Sequence, residues 1–283
     1  MAEILKGAPV AAALNEKTAA MAETLKTRGI IPTLAVLRVG ENPSDISYER
    51  GIVKRCGELG VAVRHCVLDA SCSQDQLMDV LSQLNEDPSV HGILVFRPLP
   101  AHLDEEAVRQ ALLPEKDVDG ITDGSLAGVF TGSGSGFAPC TAQAVIEILD
   151  YYGVDCCGKN AVVLGRSLVV GRPAAMLLQA KNATVTLCHS KTVNAPALAR
   201  NTDILVACLG RAKSVGTDYF RPGQIVLDVG IHVDADGKLC GDVDFAAAEP
   251  VVSAITPVPG GVGSVTTAVL LKHVVSAAQA SLK

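Results

Sequence analysis

Tryptophan is absent from this sequence of 283 residues, and aromatic residues make up only 3% of it. Proteins that bind single-stranded nucleic acid stack bases on aromatic rings and follow the backbone with basic residues. This sequence has neither feature, since its net charge is −6 and it contains no block of lysine and arginine. We therefore expect no nucleic-acid partner.

Long apolar runs are also missing. No run reaches the roughly 20 residues that a membrane-spanning helix requires, and the N-terminus lacks the basic and apolar regions of a signal peptide. The nine cysteines include no C-x-x-C pair or other paired spacing typical of a zinc site. Their odd number and their apolar surroundings indicate reduced thiols. We expect a cytoplasmic protein with no metal site and no membrane partner.

Strand and helix patterns alternate along the chain, which is typical of an α/β fold with a largely parallel sheet. In the first half, strands that alternate with helical patterns are predicted at 33–40, 61–68 and 92–96. The Gly/Ser-rich segment 124–139 is the predicted domain boundary. A nucleotide-binding unit is expected from Gly158 to about Val265, with later strands at 204–208, 225–229 and 251–255, and the last helix is expected over about 262–282.

The most informative segment is VVLGRSLVVGRP at 162–173, which predicts a buried strand, a glycine turn and a helix. Such a turn directs free N–H groups and the positive end of a helix dipole at an anion, usually a phosphate. The next strand ends before Ser190 and Lys191, where an NAD site would carry a carboxylate for the ribose 2′-hydroxyl. Arg166 and Ser190 favour NADP instead. The alternative is a turn whose glycines only allow tight packing.

Five segments, taken in order, resemble the methylenetetrahydrofolate dehydrogenase/methenyltetrahydrofolate cyclohydrolase family. They are PEKDVDG at 114–120, GRSLVVGRP at 165–173, CHSKT at 188–192, DVGI at 228–231 and TPVPGGVG at 256–263. The resemblance covers nearly the whole chain. It implies a two-domain α/β fold and a homodimer. The implied parts are an N-terminal α/β folate domain over 1–142, a Rossmann-like NADP domain over 143–266 and a C-terminal helix over 267–283 that returns to the first domain.

The resemblance also implies roles for single residues. Tyr48 would stack on the pterin ring of a tetrahydrofolate derivative, and Asp119 would hydrogen-bond the ring nitrogens. The loop with Pro257, Gly260 and Gly261 would close near the substrate. Taken singly, these residues also fit a packing tyrosine, a turn aspartate and a helix-entry loop. The implied NADP contacts are Gly165, Arg166, Ser167, Ser190, Ile231 and Thr266.

Three positions depart from the family pattern. The family has S-x-x-Y-x-x-x-K around the tyrosine, and its lysine is the key catalytic group, whereas here the serine is Asp45 and the lysine is Ile52. The family also has V-Q-L-P-L-P after the third strand. Here that stretch is VFRPLP, so that Phe96 replaces the glutamine.

These departures bear on one of the family's two reactions. Hydride transfer from the methylene carbon to the nicotinamide depends on alignment and needs no general acid or base. Opening of the methenyl ring by water needs proton transfer. We therefore predict an NADP-dependent dehydrogenase with weak or absent cyclohydrolase activity. The alternatives are a bifunctional enzyme in which Arg97, Arg55 or Glu49 restores the second step, a dehydrogenase with another substrate, and a non-catalytic NADP-binding module.

Overall fold

The structure, a computed structural model, describes residues 1–282 and contains two compact units. One unit combines Met1–Ala12 with Cys140–Thr266, and the other combines Ala13–Pro139 with the chain from Thr267. The sequence-based division put residues 1–12 in the first domain instead. They belong to the other unit because strand β1 (Glu3–Ile4) pairs in parallel with Ala254 and Ile255.

The unit built on residues 13–139 has a three-stranded parallel sheet. Its central strand is buried along most of its length, as expected of a parallel strand covered on both faces. The strands, with β2 between the other two, are β2 (Thr33–Val39), β3 (Ala62–Leu68) and β4 (Gly92–Val95). The helices are α1 (Gly7–Thr27, which starts in the other unit), α2 (Pro43–Glu58), α3 (Gln74–Glu86), α4 (Glu105–Ala111) and α5 (Asp123–Thr131).

Helix α5 corrects the interpretation of segment 124–139 as a simple boundary. The helix starts because the Thr122 hydroxyl accepts a hydrogen bond from the Ser125 N–H at 3.1 Å. Gly128 then lets the chain fold back tightly, since a Cβ there would lie 1.9 Å from the Ser135 carbonyl oxygen. Gly124, Gly128 and Gly136 therefore serve close packing, and the two units divide at the end of the segment, between Pro139 and Cys140.

The other unit has a six-stranded sheet that includes β1. Its further strands are β5 (Asn160–Leu164), β6 (Thr184–Cys188), β7 (Ile204–Ala207), β8 (Ile225–Asp228) and β11 (Ala254–Ile255), and β9 (His232–Val233) and β10 (Leu239–Cys240) form a separate hairpin. The strand order is β1-β11-β8-β7-β5-β6, and all pairs are parallel. Strand order reverses beside β5, and ligands of such sheets bind at that point, at the carboxyl ends of the strands. The helices are α6 (Cys140–Tyr151), α7 (Gly171–Ala180), α8 (Ala195–Arg200) and α9 (Phe245–Ala248).

Two predicted elements start later than the sequence indicated. The strand expected from Val251 covers only Ala254–Ile255, because the N–H groups of Val251 and Val252 donate to the Ala248 carbonyl at the end of α9. The final helix was expected from Val262. That residue lies instead in a 3₁₀ turn, and helix α10 spans Thr266–Ala280.

Helix α10 belongs mainly to the unit built on residues 13–139. Its His273 lies with Nδ1 2.9 Å from the Val118 carbonyl oxygen and stacks on Phe137 with ring centroids 4.8 Å apart. The predicted two-domain α/β fold with a returning C-terminal helix is therefore confirmed, and residue 283 lies outside the described residues. Within residues 1–282, no helix is long and apolar enough to cross a membrane.

Candidate active site

Tyr48 lies on helix α2, which the chain starts with a cap. The Asn42 side chain accepts a hydrogen bond from the Ser44 N–H at 2.9 Å, and Pro43 occupies the first turn, where a missing N–H costs nothing. Tyr48 is half exposed, since 50% of its surface is accessible to solvent. Its ring meets that of buried Phe96 edge to face, with centroids 5.8 Å apart. Tyr48 thus offers an open aromatic surface.

Glu49 anchors helix α2 to the sheet behind it. Its carboxylate accepts a hydrogen bond from Arg38 Nε on β2 at 2.8 Å and lies 2.6 Å from His65 Nδ1 on β3. Burial raises the pKa of the Glu49 carboxyl, but the bonds to His65 and Arg38 and their charges outweigh this, and the net shift is downward. Glu49 is therefore a structural carboxylate beside Tyr48. Sequence reasoning did not predict its two partners.

Ile52 and Phe96 are both buried hydrocarbon side chains. Ile52 lies one turn along α2 from Tyr48 and is 1% exposed, and Phe96 follows β4 and is 7% exposed. The Phe96 N–H continues the sheet by donating to the Leu37 carbonyl at 2.9 Å. Neither side chain can donate, accept or carry a proton.

Asp119 lies on a tight turn that two neighbours stabilise. The fully buried Asp117 carboxylate accepts hydrogen bonds from the N–H groups of Ile121 at 3.0 Å and Thr122 at 2.7 Å. Gly120 has φ +73, and a Cβ there would lie 2.4 Å from the Pro139 nitrogen, so that only glycine fits. The turn therefore holds Asp119 in a defined place.

Arg97 lies between two carboxylates. Its Nη1 is 3.2 Å from Glu105 Oε1, and its Nη2 is 4.0 Å from Asp119 Oδ2. Glu105 is further held by the Leu99 N–H at 3.4 Å. The structure thus brings Arg97, which follows Phe96 directly, beside the predicted pterin-binding carboxylate.

In the other unit, the turn after β5 is closely packed around two glycines. Gly165 has φ +123, and a Cβ there would lie 2.3 Å from the Cys208 carbonyl oxygen. A Cβ on Gly171, at the start of α7, would lie 2.2 Å from the Gly165 carbonyl oxygen. Ser167 Oγ accepts from the N–H groups of Val170 at 3.2 Å and Gly171 at 3.4 Å. Ser167 therefore shapes the predicted phosphate-binding turn.

Beside this turn lies a cavity of about 260 Å³ at the carboxyl ends of β5 and β6, where it reaches Leu164 and Cys188. Ser190 lines it, as does Arg211 from the loop after β7. Arg166 is exposed and is not among the lining residues. The structure therefore brings Ser190 to a cavity without Arg166, and sequence reasoning missed Arg211.

A second cavity of about 120 Å³ brings four other predicted residues together. It is lined by Ile231, Pro257, Gly260 and Gly261. Thr266 is not among its lining residues, and its hydroxyl donates to the Gly263 carbonyl at 3.0 Å.

The N-terminus supports the same loop. The Gly7 N–H donates to the Gly260 carbonyl at 2.8 Å, and a Cβ on Gly7 would lie 2.2 Å from the Gly261 carbonyl oxygen. This contact joins residues about 250 positions apart. No sequence pattern had pointed to it.

Asp228, at the end of β8, also lines the cavity of about 120 Å³. Its carboxylate accepts hydrogen bonds from the N–H groups of Val243 at 2.9 Å and of Gly230 and Asp242 at 3.0 Å. Burial raises the pKa of Asp228 to about 6, although these N–H groups oppose the shift. Asp228 therefore holds the backbone that carries Ile231.

Two stretches of the chain match domains of one known family. Residues 5–119 match the catalytic domain of tetrahydrofolate dehydrogenase/cyclohydrolase, and residues 139–282 match its NAD(P)-binding domain. The chain belongs to the tetrahydrofolate dehydrogenase/cyclohydrolase family. The resemblance seen in its motifs thus holds over both units.

Members of the tetrahydrofolate dehydrogenase/cyclohydrolase family from several organisms are similar over their full length. A bifunctional protein FolD from Carboxydothermus hydrogenoformans is 51% identical over 99% of this chain and 98% of its own. One from Clostridioides difficile is 50% identical over 97% of this chain and 96% of its own. The solved FolD structure from Campylobacter jejuni is 38% identical, covers 99% of both chains and has a TM-score of 0.95. The Trypanosoma brucei enzyme, solved with NADP and an inhibitor, is 34% identical over 100% of this chain and 99% of its own, with a TM-score of 0.91.

Proposed function

We propose that this protein oxidises 5,10-methylenetetrahydrofolate to 5,10-methenyltetrahydrofolate with NADP and has weak or no cyclohydrolase activity. The family assignment supports the dehydrogenase part of this proposal. The absence of hydrolysis is inferred from side chains of this chain alone.

Two residues support folate binding. Tyr48 offers a half-exposed ring on which the pterin can stack, because Phe96 supports it from the edge. Asp119 offers a carboxylate acceptor for the donor edge of the pterin, on a turn fixed by Asp117 and Gly120. A pure nucleotide-binding module would need neither residue, which argues against a non-catalytic role.

The residues after β5 and β6 fit a dinucleotide. Gly165 and Gly171 let the backbone of the turn after β5 pack closely, and helix α7 begins there with the free N–H groups of its first turn. The loop after β6 carries Ser190 and Lys191 and no carboxylate, which favours a ribose with a 2′-phosphate. NADP, when bound, supplies the nicotinamide carbon that accepts a hydride. Among the cofactor contacts that we propose are also Arg166, Ser167, Ile231 and Thr266.

The single observation that carries the proposal concerns Ile52 and Phe96. The resemblance assigns a lysine and a glutamine to these positions, and this chain has two buried hydrocarbon side chains there. Hydride transfer proceeds by alignment of two rings, so it tolerates both. Attack of water on the methenyl carbon requires proton transfer and charge stabilisation, each worth roughly two to four orders of magnitude in rate. Neither side chain provides them.

The second candidate is a bifunctional enzyme, which is favoured by the names of the Carboxydothermus and Clostridioides relatives. One of Glu49, Arg97 or Arg55 would then have to replace the lysine. Glu49 is bound by Arg38 and His65, and Arg97 is bound by Glu105. A guanidinium also stays protonated and is a poor general base. These contacts disfavour the second candidate.

We also propose that the protein acts as a homodimer in the cytoplasm. The resemblance to the family supports the dimer. The cytoplasm is supported by the nine cysteines, all of which are free thiols in the structure.

A paired assay on one preparation tests the proposal. NADP reduction is followed with 5,10-methylenetetrahydrofolate, and the loss of added methenyltetrahydrofolate is followed by its absorbance. We expect reduction with no enzyme-dependent hydrolysis. Hydrolysis that rises with enzyme concentration would establish the bifunctional alternative, and no reduction would refute the dehydrogenase.

A further inference from the structure

The cavity at the ends of β5 and β6 contains an arginine that the family motifs do not include. Arg211 follows β7, and it lines the cavity of about 260 Å³ together with Ser190. Among the described lining residues it is the only one with a permanent charge, and none is Asp or Glu. A positive cavity next to a dinucleotide-binding turn favours a phosphate.

The backbone of Arg211 is held firmly on both sides. Its N–H donates to Asp242 Oδ1 at 2.8 Å, and its carbonyl accepts a hydrogen bond from Ser214 Oγ at 2.9 Å. The Gly210 N–H donates to the other carboxylate oxygen of Asp242 at 3.1 Å. Asp242 is itself fully buried and bound to His232 Nε2 at 2.8 Å. The loop is therefore preorganised and does not have to be ordered when a ligand binds.

The side chain of Arg211, in contrast, has no partner. Within residues 1–282, its exposed guanidinium makes no hydrogen bond and no ion pair. The other cation of this loop is neutralised, since Lys213 Nζ lies 3.0 Å from Asp234 Oδ2. A fixed backbone with an unpaired guanidinium at a cavity is suited to bidentate binding of a phosphate.

We propose that Arg211 and Ser190 bind the adenosine 2′-phosphate of NADP, so that the loop after β7 helps to determine the choice of cofactor. This inference rests on the proposed function, in which NADP is the cofactor. It adds a specificity residue to Arg166, which does not line this cavity.

Calorimetric titration with two adenosine nucleotides tests the inference without turnover. Adenosine 2′,5′-bisphosphate carries the 2′-phosphate, and 5′-AMP lacks it. The charge-assisted bonds of a guanidinium predict that Arg211→Gln raises the Kd of the bisphosphate about 10- to 100-fold. The Kd of 5′-AMP should stay within about twofold, because that ligand does not use the bond. Arg211→Lys, which keeps the charge, should recover part of the loss.

Lys213→Gln is the matched control, since it removes a cation from the same loop that does not line the cavity. It should leave both Kd values unchanged. Equal losses of both nucleotides in Arg211→Gln would overturn the inference in favour of stacking on adenine, and no loss would overturn it as well. The proposed function is tested separately, by reduction of NADP with 5,10-methylenetetrahydrofolate in the wild type. If the wild type reduces NADP but Arg211→Gln does not weaken the bisphosphate selectively, only the role of Arg211 is refuted.

Discussion

The rings of Tyr48 and Phe96 touch edge to face, with centroids 5.8 Å apart and planes inclined by 65°. The residue that the family pattern would make a glutamine is therefore a support for the tyrosine here. The Phe96 side chain supports the ring of Tyr48 and can form no hydrogen bond of its own. The first prediction concerns this ring and Ile52, which are both hydrocarbon.

Wild-type protein should accumulate methenyltetrahydrofolate during NADP reduction, because Ile52 and Phe96 cannot assist hydrolysis. The double variant Ile52→Lys with Phe96→Gln should gain some hydrolysis, since it adds a proton-transfer group. The gain will be small if Asp45, in the first turn of α2, pairs with the new lysine and keeps it protonated. The decay of added methenyltetrahydrofolate measures this, with Phe96→Gln alone as the control.

Asp119→Ala should weaken folate binding and lower turnover about 10- to 100-fold while NADP binding persists. The pterin donors would lose a charged acceptor, a loss of roughly 1.5–3 kcal/mol. Asp117→Ala is the contrasting variant, because Asp117 is fully buried and accepts two backbone N–H groups. The main effect of Asp117→Ala should be a lower melting temperature. Titration with a folate analogue and thermal unfolding separate the two effects, and near-normal turnover of Asp119→Ala would contradict its role.

Arg166→Ala should raise the Michaelis constant for NADP strongly and that for NAD little. One charge-assisted hydrogen bond to a 2′-phosphate is worth roughly 1.5–3 kcal/mol, or about 10- to 100-fold. Arg200→Ala, an exposed cation at the end of α8, is the control and should change neither constant. Equal losses for both cofactors would show that Arg166 does not read the 2′-phosphate.

Local patterns predicted much of this fold. The alternation of apolar strands and helical segments located β2, β3, β4 and the strands after Gly158. The clearest of them, β4 and β7, are fully buried and are continuous apolar runs, as is typical of parallel strands covered on both faces. Short elements such as β1 and the hairpin of β9 and β10 have two residues per strand and leave no periodic signal. Their existence depends on pairing across the chain.

The sequence indicated candidate residues for the site but not the contacts that hold them in place. Motifs indicated Tyr48 and Asp119. The partners of Glu49, namely Arg38 and His65, come from two different strands, and nothing in their local sequence marks them. Arg211 likewise acquires its importance only from the cavity that folding forms around it.

Gly7→Ala should impair catalysis from a position outside the motifs. Its new Cβ would lie 2.2 Å from the Gly261 carbonyl oxygen, so the loop of Gly260 and Gly261 must shift. Overpacking of this kind typically costs about 1–3 kcal/mol. We expect a lower melting temperature together with a lower kcat/KM. Gly216→Ala is the matched control in the same unit, since a Cβ there meets nothing within 4 Å. Equal behaviour of the two variants would contradict the prediction.

Glu49→Gln should destabilise the protein by roughly 3 kcal/mol at neutral pH, because it leaves the buried Arg38 without its counter-charge. The effect should depend on pH in a defined direction. The folded-state pKa of Glu49 lies below its ordinary value of 4.5, so between the two values the unfolded state binds more protons than the native state. The stabilisation by Glu49 is therefore complete above pH 4.5 and is lost as the pH falls through the folded-state pKa.

Urea unfolding of wild type and Glu49→Gln at a series of pH values measures this difference in the free energy of unfolding. The difference should be largest at neutral pH and should shrink below pH 4.5, since protonated Glu49 and glutamine are then both neutral. Glu58→Gln, an exposed position at the end of the same helix, should give a small difference at every pH. A difference for Glu49→Gln that does not change with pH would mean that packing, and not the charge bound by Arg38 and His65, holds helix α2 on the sheet.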